Sequence, residues 1–160
     1  MRIMRKIKEM TGFSDSARTV RKNIGFVPTM GYLHNGHMSL VKESKRTSDI
    51  TVVSIYVNPI QFGRNEDYDK YPRDLKRDLN LLDKSGGVDA VFCPDDAEMY
   101  EVGKTTFVLP EGSMADNYEG KIRPGHFKGV ATVVAKLFNI VKPHKAFFGQ
   151  KDAQQCVVIR

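Results

Sequence analysis

The sequence predicts an α/β protein: a parallel sheet with helices on both faces. Two observations carry this. Apolar runs at residues 24–27 and 50–57 (ITVVSIYV) flank a helical pattern at 36–47, and a strand, helix, strand succession is a βαβ unit, which a parallel sheet accommodates. Two further short apolar runs, at 90–93 and 146–148, end at proline or glycine with helical stretches between them. At 160 residues and 41% hydrophobic, the chain has material for one sizeable core, so one domain over 1–160 is expected.

Taken in order, Ile3, Ile7, Met10 and Phe13 recur at three-to-four spacing with basic residues between them, which predicts an amphipathic helix over 3–21. Ser14 and Asp15 are candidate caps for a second helical turn. The strand at 24–27 is cut by Pro28, a glycine-bearing turn with two histidines follows, and the next helix carries Lys and Arg toward its C-terminal end, where they suit the helix dipole. The run at 50–57 reads as a strand buried on both faces and ends at Asn58-Pro59. A polar segment at 62–74 leads to a helix at 75–84, stopped by Gly86-Gly87. Between 95 and 125 the pattern weakens to a helical turn at 96–100, a short strand at 105–109 and a glycine-rich polar stretch, expected as an excursion at the sheet edge. From His126, the residues Val130, Val133, Val134, Leu137, Phe138 and Val141 form a core-facing helix stripe that Pro143 closes. After the 146–148 run, Gly149-Gln150 makes a turn and a last helix opens at 151–160.

A formal net charge of +6 favours an anionic partner. Lys and Arg are interspersed with acids, and no stretch mixes aromatics with basics as a single-strand-binding surface does, so a small anionic substrate ranks above nucleic acid. No apolar run approaches the ~18 residues of a membrane span, and the N-terminal stretch lacks the apolar core of a signal peptide. Cys93 and Cys156 belong to no CxxC pair, so both read as ordinary buried thiols in a reduced, cytoplasmic setting.

The chemistry concentrates between strand and helix. His34 and His37, three apart, either share a helix face or flank the first free N–H groups of a helix starting near Gly36; both arrangements aim two imidazoles at one anion. Gly31 and Gly36 remove side chains where a ligand approaches the backbone, and the positive helix end attracts phosphate. Preoriented imidazole donors would act on the charge that builds on phosphate oxygens during phosphoryl or nucleotidyl transfer. Two other readings stand beside this one: a turn residue and a partly buried helix residue without catalytic work, or a zinc pair for which no third ligand is placed locally.

The stretch FVPTMGYLHNGHMSLV, then VSIYVNPIQFG, then YPRD, then RPGHFKGVATVVAKLFNIVKPHKAFFGQKDAQQ, closely resembles the pantothenate synthetase family, the ligases that join pantoate to β-alanine. The match runs along nearly the whole chain in order and is far more specific than the HxGH signature, which other nucleotidyltransferases and class I aminoacyl-tRNA synthetases share. The resemblance implies a Rossmann-like fold of the HIGH-type nucleotidyltransferase class. It also implies a two-step reaction in which ATP and pantoate give a pantoyl adenylate and pyrophosphate, after which the β-alanine amine displaces AMP.

By position, it implies an ATP site of Met30, Gly31, Tyr32, Leu33, His34, Asn35, Gly36 and His37, with His34 and His37 at the phosphates and His37 marked as catalytic. Across from it, Gly149, Gln150, Lys151 and Asp152 would contact ATP, Gln155 would hold pantoate, and Gln61 would hold pantoate and lie close to β-alanine. Asn58, Arg123 and His126 match residues near the pocket. Read without the resemblance, Gln61 is a polar residue past a strand end, Gly149 to Asp152 an ordinary turn, and His126 a capping or core histidine. The resemblance further implies Mg2+, with Asp78 the candidate ligand and phosphate oxygens and water holding most of the ion, and a homodimer. Asn35 and Gln150 are amides where members of the family commonly carry acids. The family continues beyond the matched region into a small C-terminal domain whose loop closes over ATP. The chain is therefore expected to bind its ligands with little turnover. Two alternatives remain open at this point: another HxGH nucleotidyltransferase, or a non-catalytic nucleotide- or RNA-binding module.

Overall fold

The computed structural model describes residues 1–63, 66, 68–101 and 105–160. Strand β1 (Arg2–Met4) leads into helix α1 (Ile7–Thr19), and β2 (Ile24–Thr29), α2 (Asn35–Thr47) and β3 (Ile50–Ile55) form the expected βαβ unit. A single 3-10 turn (Pro59–Gln61) follows. Next come α3 (Leu75–Lys84), β4 (Ala90–Phe92), three short helices α4 (Asp96–Met99), α5 (Ser113–Asp116) and α6 (Glu119–Ile122), then α7 (His126–Val141), β5 (Lys145–Ala146) and α8 (Ala153–Ile159). The strands lie in the order β1-β4-β3-β2-β5, and every pairing is parallel.

Strand alternation divides the core. Phe26, Val52 and Phe92 face α1 and α7, where they meet Met10, Val130, Val134 and Leu137. Their neighbours Val27, Val53 and Val91 face α2 and α3 and meet Val41 and Leu82. All six strand residues are fully buried, the two-sided burial that a parallel sheet requires.

Four expectations are corrected. Residues 2–4 are an edge strand, not the start of a helix: Arg2 N donates to Asp89 O at 2.8 Å, Cys93 N donates to Met4 O at 2.8 Å, and Met4 is buried. The spacing of Ile3 and Ile7 imitates a helix, but Ile3 is exposed at the edge and the helix begins only at Ile7, whose N–H is taken by Glu98. Ser14 and Asp15 cap nothing; Ser14 is buried within α1, and Asp15 pairs with Lys142 at 2.6 Å. Pro28 does not end β2, which continues to Thr29 in register with β3. Phe26 O accepts from Phe147 N on the β5 side, so Pro28, two residues on, turns its missing N–H to that same side, beyond the end of β5. Lastly, 105–109 forms no strand. Thr132 holds the N–H of Val108 at 3.0 Å, and Phe107, Val108 and Leu109 are exposed, with no strand among the described residues paired to them.

Smaller shifts affect the ends of β3, which stops at Ile55, and of β5, which covers 145–146. Both cysteines are free; Cys93 is buried as expected, and burial pushes its thiol up to about 11, whereas Cys156 is only partly buried. Among the described residues no helix is long and apolar enough to cross a membrane.

Candidate active site

The chain moves from β2 through β3 to β4 in one direction and then returns to place β5 on the other side of β2. The crevice at the carboxyl ends of β2 and β5 is therefore the switch point of the sheet, the usual ligand position in open parallel folds. A cleft of about 290 Å³ opens there. Its floor is Pro28 to Tyr32, one wall is α7, and the other elements at its rim are the Pro59–Gln61 turn and the segment after β5.

The floor is held by side chains. Thr29 Oγ1 donates to Ser54 O at 2.7 Å and accepts from Gly31 N at 3.2 Å. Gly31 and Tyr32 both have positive φ, 83° and 50°, and a Cβ on Gly31 would lie 3.0 Å from Ile55 Cγ2. The left-handed backbone at Tyr32 is costly for a residue with a side chain. It is stabilised by Asp78, whose Oδ2 accepts from Tyr32 N at 2.7 Å while Oδ1 accepts from Leu33 N at 2.8 Å. Arg77 completes the clamp, donating to Leu33 O at 2.9 Å and lying over the Tyr32 ring.

Asp78, the candidate magnesium ligand, is buried beneath the turn, where each carboxylate oxygen accepts from a backbone N–H and Oδ1 also meets Arg77 at 3.2 Å, so the residue positions the turn. Among the described residues no group of three His, Cys, Asp or Glu is arranged to hold a metal ion.

The histidines stand on the next residues. His34 is extended (φ −141°, ψ 179°) and caps α2, its Nδ1 accepting from Gly36 N at 3.1 Å. His34 N in turn donates to His37 Nδ1 at 3.3 Å. Both Nδ1 atoms accept, so each neutral ring must carry its proton on Nε2. The N–H of Gly36 in the first turn of α2 is thus occupied by an imidazole, and each ring keeps an Nε2–H to offer an anion. The rings lie 4.2 Å apart. Burial, then the neighbouring His34 and Lys151, hold the His37 pKa below its ordinary value, which keeps the ring neutral and donating.

Opposite, Gln61 is buried, and its Nε2 donates to Met30 Sδ at 3.0 Å. Lys151, Asp152 and Gln155 reach the same cleft from a second 3-10 turn (Gln150–Asp152) and α8, and Lys151 Nζ lies 3.8 Å from Asp152 Oδ2. Of the residues singled out in the sequence, the cleft brings together Met30, Gly31, Tyr32, His34, His37, Asn58, Gln61, Lys151, Asp152 and Gln155.

The others stand elsewhere. Leu33 is fully buried in the α2–α3 core, and Asn35, Gly36, Gly149 and Gln150 stand outside the lining. Arg123 and His126 do not line the cleft. Arg123 is engaged by Glu66 (2.8 Å to Oε2) and Glu119 (2.9 Å), and its guanidinium brings the Glu66 carboxyl down to about 2. His126 lies behind the 3-10 turn with Nδ1 3.0 Å from Gln61 O and Nε2 3.2 Å from Arg123. A carbonyl only accepts and a guanidinium only donates, so this ring carries its proton on Nδ1, the opposite tautomer to the cleft pair.

The lining also includes residues that sequence reasoning assigned only to the core or passed over: Tyr71, Phe148 and the α7 residues Val130, Val133, Val134 and Leu137. The width of the α7 stripe was the available signal, since part of it covers the sheet and part forms the cleft wall.

A five-stranded parallel sheet with an HxGH turn at its switch point is the HIGH-type nucleotidyltransferase class of α/β fold. Residues 2–160 match the family model for pantoate-beta-alanine ligase. The chain belongs to the pantoate–β-alanine ligase family. It is 58% identical over 160 residues to a pantothenate synthetase of Thermotoga neapolitana, covering 100% of this chain and 56% of the relative. It is also 58% identical over 159 residues to that of Carboxydothermus hydrogenoformans, covering 99% and 56%. Among solved structures, pantothenate synthetase from Thermus thermophilus superposes with a TM-score of 0.91 at 49% identity, over 100% of this chain and 56% of that one. Pantoate-beta-alanine ligase from Francisella tularensis, complexed with beta-gamma ATP and β-alanine, does so with 0.94 at 43% identity, over 99% and 60%. The chain spans 56% of the length of the curated relatives named here.

Two outcomes test the site's construction. Replacing Asp78 by Ala strands two backbone donors and is expected to destabilise the protein by about 2–4 kcal/mol; denaturant unfolding reads the loss, and hydrogen exchange should quicken first at Tyr32 and Leu33. The His37 pKa lies below 6.5, so the unfolded chain binds this proton more readily. Stability contributed by the neutral ring is complete above 6.5 and is lost as pH falls from there through the folded pKa. A His37→Gln variant should lack this part of the acid sensitivity, and an NMR titration midpoint for His37 at or above 6.5 would contradict the assignment.

Proposed function

We propose that the chain provides the ATP- and pantoate-binding part of a ligase that joins pantoate to β-alanine through a pantoyl adenylate. The observation that carries the reading is the convergence, on one cleft at the switch point, of two imidazoles fixed as Nε2–H donors, the Lys151 cation and the buried amide of Gln61. In the first step a pantoate carboxylate oxygen attacks the α-phosphorus of ATP, and the bond to the β,γ-bridged pyrophosphate breaks. His34, His37 and Lys151 are suited to the negative charge that grows on the phosphate oxygens and the departing pyrophosphate. In the second step the β-alanine nitrogen attacks the acyl carbon, AMP leaves with the bonding pair, and the nitrogen sheds a proton.

Each residue's share follows from its surroundings. The imidazoles are already in place before charge develops, so they cost no reorganisation during the reaction. Gln61 and Gln155 supply polar contacts within an otherwise apolar wall of valines and Leu137, which suits the dimethyl carbon of pantoate. The wall also excludes water that would hydrolyse the adenylate. Magnesium would enter with ATP as its complex, and no step is routed through it.

The reading extends to the setting: a cytoplasmic protein with reduced thiols, acting on small molecules without nucleic acid or membrane. It also includes a homodimer. Exposed apolar side chains at Phe107, Val108, Leu109, Tyr118 and Ile122 support self-association. Sedimentation equilibrium should give twice the mass of one chain; a single-chain mass at all concentrations would reject the dimer.

Isothermal titration tests the main reading. ATP, pantoate and a non-hydrolysable pantoyl-adenylate analogue should each bind, the analogue tightest because it fills both halves of the cleft. His37→Ala should leave ATP binding within about threefold while lowering adenylate formation by about a hundredfold. Failure of the analogue to bind would overturn the assignment.

A further inference from the structure

The buried amides behind the cleft form a chain whose hydrogen-bond sense has one solution. Asn58 is almost wholly buried (1% exposed). One edge of its carboxamide lies 3.1 Å from Gly129 O and 3.1 Å from Gln61. A backbone carbonyl only accepts, so the atom of Asn58 facing Gly129 must be Nδ2, with one proton for Gly129 O and the other for Gln61. The atom of Gln61 that meets it must then be the acceptor Oε1. This turns Gln61 Nε2 the other way, onto Met30 Sδ and the cleft. At the far end Asn58 Oδ1 receives the Tyr100 hydroxyl at 2.8 Å. Burial and nearby Asp96 raise the Tyr100 pKa, so that hydroxyl keeps its proton to donate.

Gly129 is the anchor because of its size. A Cβ there would lie 2.4 Å from Gln61 Cα and 2.5 Å from Ile60 O, so only glycine lets α7 press its backbone onto the 3-10 turn. That contact brings the Gly129 carbonyl within reach of Asn58.

We propose that the Gly129 carbonyl, acting through Asn58 and braced by Tyr100, fixes Gln61 as a hydrogen-bond donor to the cleft. The pantoate half of the site thereby selects a ligand that presents an acceptor oxygen. The inference rests on the pantoate assignment made above and deepens it: Asn58 and Tyr100 act through Gln61 as positioning residues, and specificity is written in the sense of one amide. A carboxylate or hydroxyl oxygen satisfies Nε2–H, whereas an ammonium or methylene at the same place leaves it unpaired. Losing such a partner typically costs a site far more than losing a methyl contact.

The experiment combines NMR with titration of pantoate and ATP. In the unaltered protein the Gln61 side-chain amide protons should give cross-peaks to the Met30 methyl and none across the Asn58 edge. In Asn58→Asp the carboxylate cannot donate, so Gln61 must reverse, the Met30 cross-peaks should vanish, and pantoate affinity should fall by about tenfold or more with ATP affinity kept. Gln61→Glu, which presents an acceptor while Asn58 stays in place, should lose pantoate to a similar extent. Tyr100→Phe removes the brace alone and guards against misfolding of the aspartate variant; a loss of about two- to fivefold for pantoate only is expected. Pantoate binding unchanged in both Asn58→Asp and Gln61→Glu, or Gln61 amide cross-peaks lying across the Asn58 edge, would overturn the proposal. If pantoate fails to bind the unaltered protein, the assignment of the ligand falls, while the cross-peaks still decide the sense of the amide.

Discussion

Two backbone N–H groups, those of Tyr32 and Leu33, converge on the buried carboxylate of Asp78, and much of the site depends on that contact. The turn after β2 must pass through two successive positive-φ residues before α2 can start, and one of them is tyrosine. Such a backbone costs about 1–3 kcal/mol when nothing holds it. Bonds to an ionised carboxylate are among the stronger ones available and offset the cost. With the turn fixed, Leu33 drops into the core and His34 emerges extended at the helix cap, so the direction of both imidazoles follows from a residue on α3.

The second constraint is the approach of α7 to the rest of the molecule. One part of its apolar stripe fills the space over Phe26, Val52 and Phe92, while another part is the wall of the cleft. Core packing and the cleft wall therefore share one helix face, and a rigid core gives a rigid cleft. Gly129 sets how closely this helix meets the Pro59–Gln61 turn, and the buried amides of Asn58 and Gln61 lie in the contact. His126 and Arg123 support the same turn from behind, with Glu66 and Glu119 neutralising the guanidinium. Groups that resemble catalytic residues by type here hold others in position.

How much of this was legible in the sequence varied with the range of the interaction. The βαβ unit, the boundaries of α3 and the stripe of α7 were readable because two-sided burial and helical burial leave local periods of apolar residues. The edge strand at 2–4 was not readable, since three residues are too few to show a period and Ile3 with Ile7 copies a helix. Pro28 misled for a related reason. A missing N–H matters only where a partner strand expects it, and on that side of β2 the partner has already ended. The segment 105–109 has strand-like composition but no strand paired to it among the described residues, and composition alone cannot supply one.

By itself, the sequence determined the alternation of strands and helices, the place of the glycine- and histidine-bearing turn after β2, and the residues that match the ligase family. Only the tertiary structure decided what those residues do to one another. Asp78 binds a turn 46 positions earlier in the chain, His126 reaches back 65 to a carbonyl, and Asn58 takes its sense from Gly129, 71 positions on. Hydrogen bonds over such separations leave no period in the sequence. The proton positions on His34, His37 and His126 follow from which partner each ring nitrogen meets, and that is settled only when the distant elements come into contact.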